Sequence, residues 1–310
     1  MRLGVLDVGS NTVHLVAVDA RAGGRPTPMS DWKTGLRLVE MLDDDGAIDD
    51  KGLNRLTSSV AEAADLVGKL GCEEMIAFAT SAVRSAANSA EVLAHVEKET
   101  GVHLRVLTGE DEARLTFLAA RRWYGWSVGR ITNLDIGGGS FELSTGSDED
   151  PDLAVSLDLG AGRLTHHWFD TDPPDRKKIN MLRDYIDAEL ADAARQFKTV
   201  GVDGLAVGTS KTFRTLARLT GAAPSSAGPY IQRTLTAPGL RQLIAFISRM
   251  TAADRAELEG ISADRSHQIV AGALVAEAGM RALGLEKIEI CPWALREGVI
   301  LHRLDKGLAE

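Results

Sequence analysis

Asp7-Val8-Gly9-Ser10-Asn11-Thr12 closes an apolar run that begins at Leu3. Glycine lets a backbone come close to a ligand. Ser10, Asn11 and Thr12 add small donors, and successive N–H groups in such a turn form an anion nest. A hairpin turn with a capping acid uses the same residues. Asp135-Ile136-Gly137-Gly138-Gly139-Ser140 makes a stronger case. Three glycines in a row weaken a strand, so ordinary packing seldom wants them. A phosphate pressed against the backbone does. Asp135 suits Mg²⁺, directly or through water. Glu142 shares a strand face with Ser140 and would reach the same ion, unless it is simply a solvated strand acid.

Gly208-Thr209-Ser210-Lys211-Thr212 follows an expected strand (Leu205 to Val207) and opens a helix. Small residues at a helix N-terminus make an anion site, or merely a cap. Beyond it Lys211, Arg214 and Arg218 step by three and four, which makes either a cationic track or an ordinary charged face. Thr80-Ser81-Ala82-Val83-Arg84 puts hydroxyls and a guanidinium just past another strand. That suits phosphate recognition or a surface helix start. Gly109-Glu110-Asp111-Glu112-Ala113-Arg114 opens a helix with three acids. Compensation of the helix dipole explains one or two of them and singles out none. No Gly-x-Ser-x-Gly elbow and no Walker Gly-Lys-Ser/Thr loop occurs, and the histidines form no ligand motif.

The elements that must position these residues show an internal echo. Asp7 and Asp135 lie 128 positions apart, each at the end of an apolar strand, each followed by a glycine turn and a second strand. That spacing is domain-sized and points to a duplicated β-turn-β unit. Between and after the echoes, strands at Met75 to Ala79, Leu104 to Leu107 and Ile288 to Cys291 alternate with amphipathic helices. The helices are expected from Leu53 to Leu70, from an Asn88 cap to Thr100, from Glu110 to Tyr124, from Asp175 to Phe197, from Ser210 to Leu219, near 237–250 and 262–283, and from Trp293 onward. Alternation of this kind implies α/β sheets. Thr145 to Asp152 is polar and reads as an exposed hairpin or loop. The domain boundary is expected near Gly125 to Gly129, which gives domains 1–127 and 128–310, with the last helix crossing back onto the first.

The chain has 310 residues, 44% hydrophobic and 25% charged, ample for two cores. No apolar run has the length of a membrane span, and the N-terminus reads as a strand rather than a signal peptide. Cys72 and Cys291 alone do not make a disulfide framework or a zinc site, which favours a cytoplasmic setting. The net charge of −9 disfavours nucleic acid and leaves a polyanionic ligand only a local basic site or a metal ion.

In this order the motifs resemble the exopolyphosphatase / guanosine pentaphosphate phosphatase (Ppx/GppA) family of the actin-like, sugar-kinase-like and Hsp70-like ATPase superfamily. The resemblance includes Ala294-Leu295-Arg296-Glu297-Gly298 and spans nearly the whole chain. It implies two ribonuclease-H-like α/β domains facing an interdomain cleft. It implies that Glu112 is the general base, with a pKa raised by neighbouring acids and partial desolvation. Asp135 and Glu142 would hold Mg²⁺ or another divalent cation. Ser10, Asn11, Arg84, Gly138, Gly139, Ser140, Gly208, Thr209 and Ser210 would contact phosphate, joined here by Thr12 and Lys211. Lys211 stands where the family usually has a small residue. Longer members continue into helical domains after the Ala294–Gly298 motif. The implied substrate is inorganic polyphosphate, cut at its terminal phosphoanhydride, with guanosine pentaphosphate as the alternative. An ATP-dependent kinase or a non-catalytic sensor of alarmones or polyphosphate is more distant. With Lys211, Arg214 and Arg218 as its only track, the chain is expected to prefer short polyphosphates. The family also suggests a homodimer.

Overall fold

The computed structural model describes residues 1–21, 23–43 and 45–306. In chain order the elements are β1 (Arg2–Val8), β2 (Thr12–Asp19), β3 (Pro28–Gly35), α1 (Asp50–Lys69), β4 (Glu74–Ala79), α2 (Ser81–Arg84), α3 (Ser89–Thr100), β5 (Arg105–Val106) and α4 (Gly109–Tyr124). There follow β6 (Ile131–Ile136), β7 (Phe141–Gly146), β8 (Leu153–Leu157), α5 (Ala161–Trp168), α6 (Arg176–Val200), β9 (Leu205–Gly208) and α7 (Lys211–Leu219). The chain ends with β10 (Thr234–Thr236), α8 (Ala237–Ile247), α9 (Ala252–Ala256), α10 (Ile269–Ala282), β11 (Lys287–Ile290) and α11 (Leu295–Lys306). No helix among the described residues is long and apolar enough to cross a membrane.

Two mixed sheets result. One has the order β3-β2-β1-β4-β5, the other β10-β11-β9-β6-β7-β8. Each starts as an antiparallel meander of three strands and continues on the far side of its first strand with parallel partners, β4 and β5 in one, β9 and β11 in the other. The turns after Asp7 and Asp135 are thus the first hairpins of a repeated topology. β10 adds an antiparallel edge to the second sheet alone.

The chain divides into two compact units, Met1–Leu115 with Leu295–Glu310, and Thr116–Ala294. The division falls inside α4, not at Gly125 to Gly129. The glycine segment is a turn built into the second unit. The fully buried Arg121 donates to the carbonyls of Gly125, Gly129 and Gly146 at 2.8–3.1 Å, and Phe117 and Ala120 enter that unit's core.

In the first unit, strand period decides which side is covered. Leu6, Val8, Val13 and Leu15 pack under Leu56 and Val60 of α1 and Val92 and Val96 of α3. Leu3, Val5, Val16 and Phe78 face Val299 and Ile300 of α11. Arg303 of α11 grips Glu74 of β4 at 2.8–2.9 Å with two nitrogens. In the second unit, Leu134 and Ile136 of β6 point to α6 and α10, while Ile131 points to Phe117 and Ala120.

Several local expectations change. β3 escapes the sequence pattern because Pro28, Ser30, Asp31 and Lys33 interrupt it. As an edge strand, paired only with β2, it has no need of a continuous apolar face. β5 is two residues long, and α11 begins at Leu295 rather than Trp293. Asn88 precedes α3 but does not cap it with its side chain. Its amide instead exchanges two 2.9 Å hydrogen bonds with the backbone of Ile48. The polar segment is, as expected, a hairpin connection, joining the antiparallel β7 and β8, with β7 running on through Gly146.

Gly298 explains why α11 sits so close to the start of α4. A Cβ there would lie 1.9 Å from the Leu115 carbonyl oxygen. Overpacking of this kind typically costs about 1–3 kcal/mol. Gly298→Ala is therefore expected to lower the melting temperature by several degrees in calorimetry, while Ala294→Gly, one turn earlier, has a much smaller effect.

Candidate active site

The first turn is held from both sides. The Gly9 N–H donates to the Thr12 carbonyl at 3.0 Å, closing the loop. The Ser10 and Asn11 carbonyls accept from the N–H groups of Leu36, Arg37 and Leu38, at 2.8–3.2 Å. Ser10 is buried, and its hydroxyl lies 2.9 Å from that of Ser81. This contact joins the turn to α2, whose last residue is Arg84. Arg84 donates to the Leu107 carbonyl at 2.8 Å and pairs with the carboxylate of Glu112. Glu112 is 7% exposed. The acids beside it are engaged elsewhere. Glu110 binds Arg114 at 2.8 Å, and Asp111 closes the helix start on Thr108. Glu112 is thus paired with a cation, while the other two acids of the helix start bond to Arg114 and Thr108.

Asp7 does not stand open to a ligand. Arg296, from the Ala294–Gly298 motif, lies 3.4 Å from its carboxylate. Opposite Asp7 in the ladder is His14. Burial lowers that imidazole to about 4, and Arg296 adds to the shift. Near neutrality the acid of the first turn is therefore matched by a guanidinium beside an uncharged ring.

The second turn repeats the first. The Gly137 N–H donates to the Ser140 carbonyl at 2.9 Å. Here the start of α5 takes up the loop carbonyls. The N–H of Ala161 binds the Gly137 carbonyl at 3.0 Å, and that of Arg163 binds the Gly138 carbonyl at 2.9 Å. The Arg163 guanidinium reaches the Gly139 carbonyl at 3.0 Å. Gly160 permits the approach, since a Cβ on it would fall 2.2–2.4 Å from Gly139 and Ser140 backbone atoms. With these carbonyls turned into hydrogen bonds, what such a turn can offer an anion is its N–H groups.

Asp135 and Glu142 are direct partners across β6 and β7, on one face of the sheet. Such partners have Cβ atoms about 5 Å apart. Glu142 is 4% exposed and accepts from the Ser156 hydroxyl at 2.8 Å. One oxygen of Asp135 accepts from the Thr209 hydroxyl at 2.5 Å and the Ser210 N–H at 3.2 Å. Asp135 thereby links the second loop to the third. Ser210 caps α7 through the Phe213 N–H at 3.4 Å and holds φ at +32°, a strained value for a residue with a Cβ. One pair further back on the same face, the Asn133 amide and the Ser144 hydroxyl are fully buried and find no protein partner.

The second unit therefore brings Asp135, Glu142, Gly138, Gly139, Ser140, Gly208, Thr209, Ser210 and Lys211 to the ends of adjacent strands β6, β7 and β9. The first unit brings together Ser10, Asn11, Thr12, Arg84 and Glu112. Arg218, placed in the cationic track, is engaged with Glu259 at 2.5 Å and with the Ala222 carbonyl at 3.1 Å. The sequence reading missed Gly160, Arg163 and Ser81. Ser81 stood inside a recognised motif, but nothing local marks Gly160 or Arg163. No group of three or more His, Cys, Asp or Glu forms a metal cage among the described residues. Two facing carboxylates still suit Mg²⁺, which usually keeps waters and takes other oxygens from phosphate.

The Ppx/GppA phosphatase family model matches residues 16–307. The chain belongs to this family. It is 67% identical over 305 residues to exopolyphosphatase 1 of Mycobacterium tuberculosis, covering 98% of this chain and 89% of that one. Exopolyphosphatase 1 of Mycobacterium leprae is 65% identical over the same length, with 98% and 90% covered. An exopolyphosphatase structure from Cytophaga hutchinsonii has a TM-score of 0.89 at 24% identity, covering 99% of this chain and 98% of that one. A family member from Aquifex aeolicus has a TM-score of 0.80, also at 24% identity, with 99% and 98% covered. The shared fold is a pair of actin-like ATPase domains. The family match starts at residue 16, after the first turn, so the role of Ser10, Asn11 and Thr12 rests on the turn's own geometry.

Gly160→Ala tests how much the second turn depends on its support. The new methyl must displace Gly139 or Ser140. Inorganic triphosphate is expected to bind at least about tenfold more weakly in titration calorimetry, the factor that corresponds to ~1.4 kcal/mol. Circular dichroism should show the fold retained.

Proposed function

We propose that this protein is an exopolyphosphatase, which removes the terminal phosphate of short inorganic polyphosphate chains by attack of water. One observation carries the reading: two glycine turns with their carbonyls tied back, the second beside an Asp–Glu pair whose Glu is buried, in a chain 67% identical to an exopolyphosphatase. Phosphoryl transfer needs positioning and charge stabilisation more than covalent help. The turn amides, the Ser140, Thr209 and Ser210 hydroxyls and Lys211 hold the phosphates. Glu112, kept in place by Arg84, takes the proton of the attacking water. The water oxygen bonds to the terminal phosphorus as the bridging P–O bond breaks. The electron pair of that bond leaves on the shortened chain, and orthophosphate is released.

Asp135 and Glu142 would hold Mg²⁺, which when bound supplies positive charge against the phosphate oxygens. The fit lies in the donor set. Two carboxylates directly opposite each other, one of them nearly buried, supply the anionic oxygens that a hard cation prefers. Preference for short chains follows from the net charge of −9 and the brevity of the cationic face on α7. The reading includes a cytoplasmic setting and a homodimer, the latter measurable by light scattering.

The deciding assay measures phosphate release from defined polyphosphates with Mg²⁺ and without nucleotide, alongside guanosine pentaphosphate. Release from short polyphosphates is expected. Turnover of guanosine pentaphosphate alone would reassign the substrate, and no release from either would point to a kinase or a sensor. Glu112→Gln keeps shape but not basicity, and turnover should fall by ~10²–10⁴-fold with binding retained. Asp135→Asn should raise the Mg²⁺ concentration needed for half-maximal rate, because a hard cation prefers anionic oxygen. An unaltered Mg²⁺ titration would remove Asp135 from the role.

A further inference from the structure

Two polar pairs cross β6 and β7 side by side, and the protein satisfies only one of them. On the face toward α6 and α10, Thr132 stands opposite Thr145. Their buried hydroxyls lie 3.1 Å apart, and Thr145 also donates to the Gly201 carbonyl at 3.2 Å. On the other face, Asn133 stands opposite Ser144. Both are fully buried. The amide nitrogen and oxygen of Asn133 and the hydroxyl of Ser144 find no hydrogen-bond partner among the described residues, and the two side chains do not bond to each other. A buried polar group left unmatched costs stability, and here the three atoms lie on one cross-strand pair. The core does not need them. Ile131, two residues earlier on the same face, packs with Phe117, Ala120 and Val207.

The next pair along the face supplies a reason. Two residues further on, Asp135 stands opposite Glu142. Opposed side chains have Cβ atoms about 5 Å apart, and the next pair on the same face lies about 7 Å along the strands. A water oxygen about 2.8 Å from each neighbour spans gaps of that size. The donors and acceptors also match. An Asn amide has two N–H donors and a carbonyl, a Ser hydroxyl has one donor, and an ionised carboxylate only accepts. One water accepts from the Asn133 N–H and the Ser144 hydroxyl and donates to Glu142, with its second hydrogen left for the Asn133 carbonyl. About three such bonds are usual for a buried water.

We propose that Asn133 and Ser144 bind a buried water that donates to Glu142 and so aims its carboxylate at a divalent cation. The inference rests on the reading of Asp135 and Glu142 as the carboxylates of that cation. Glu142 then receives two donors, the Ser156 hydroxyl and the water, as Asp135 receives the Thr209 hydroxyl and the Ser210 N–H. Asn133 and Ser144 touch neither cation nor phosphate, and they act as positioning residues. Loss of such outer partners typically costs about 10–100-fold in metal affinity.

The test is Mn²⁺ binding to the full chain, read by electron paramagnetic resonance, because Mn²⁺ favours the same oxygen ligands as Mg²⁺. Asp135→Asn marks how much of the binding belongs to this site. Ser144→Ala should bind about tenfold more weakly than wild type. Ser144→Thr and Ser144→Val have nearly one shape and differ in a hydroxyl, so the Thr variant should bind several-fold more tightly than the Val variant. Asn133→Val combined with Ser144→Ala removes both polar partners. Its melting temperature should hold or rise, since removing both is close to neutral for stability, while Mn²⁺ binding falls at least about tenfold. A merely structural pair would give the reverse, a lower melting temperature with Mn²⁺ binding unchanged, and that result overturns the proposal. So does equal binding in the Thr and Val variants. Should the double variant not fold, Ser144→Ala decides alone. A crystal structure of the wild type should show a water within about 3.2 Å of Asn133, Ser144 and Glu142, and a dry contact there overturns the proposal. Wild-type Mn²⁺ binding that Asp135→Asn leaves intact would sink the cation reading and this inference with it. The expected losses of Mn²⁺ binding in a protein that releases no phosphate would uphold this inference and sink the hydrolytic reading instead.

Discussion

A backbone turn attracts an anion only if its carbonyls point elsewhere. Each peptide carries a donor and an acceptor, and a glycine-rich turn left to itself shows both. Both turns here meet that constraint in the same way. After the third strand of each meander, the chain returns and binds the turn's carbonyls: Leu36 to Leu38 in one unit, Ala161 to Arg163 in the other. The return segment must come close, and in the second unit Gly160 makes this feasible at 2.2 Å from a virtual Cβ. The sheet order and the position of the helix after β8 serve this requirement as much as they serve the core.

From equal beginnings the two units diverge at the acid. Asp7 is met by Arg296, brought by α11, and its ladder partner is the neutral His14. Asp135 is met by another acid, Glu142. The first acid is thus set against a guanidinium, while the second is set against a carboxylate across the ladder. This separates two roles that the same motif could fill twice. The Ala294–Gly298 segment then has a physical purpose on each of its parts. Arg296 neutralises Asp7, and Gly298 lets the helix carrying it lie against Leu115.

The echo, the alternation of elements and the three loop segments were legible because each is written in contiguous residues. Glycine runs and apolar runs survive any reading of local pattern. What stayed hidden is non-local. Gly160 and Arg163 serve a loop more than twenty residues earlier, and neither belongs to an informative motif of its own. The edge strand β3 was invisible because exposure on one side removed its alternation. The boundary was misplaced because Gly125 and Gly129 look like a linker until Arg121 is seen to bind both carbonyls. Arg218 looked like part of an open track until Glu259, brought by a distant loop, turned out to face it. Glu112 was singled out only by family resemblance, since three neighbouring acids are equivalent in sequence and only one pairs with Arg84.

The strain at Ser210 ties these threads together. A residue with a Cβ at φ of +32° costs on the order of 1–3 kcal/mol and persists only if its surroundings demand it. Here the demand has two sources. Ser210 must offer its N–H to Asp135 and its hydroxyl to the first turn of α7. Thr209, one residue earlier, donates to the same Asp135 oxygen. Two facing acids, one of them buried, are costly without hydrogen bonds or a counterion. These donors offset part of that cost on Asp135, as Ser156 does on Glu142. The strained third loop thus places two adjacent donors, the Thr209 hydroxyl and the Ser210 N–H, on one oxygen of Asp135, and so fixes the orientation of that carboxylate against the second turn.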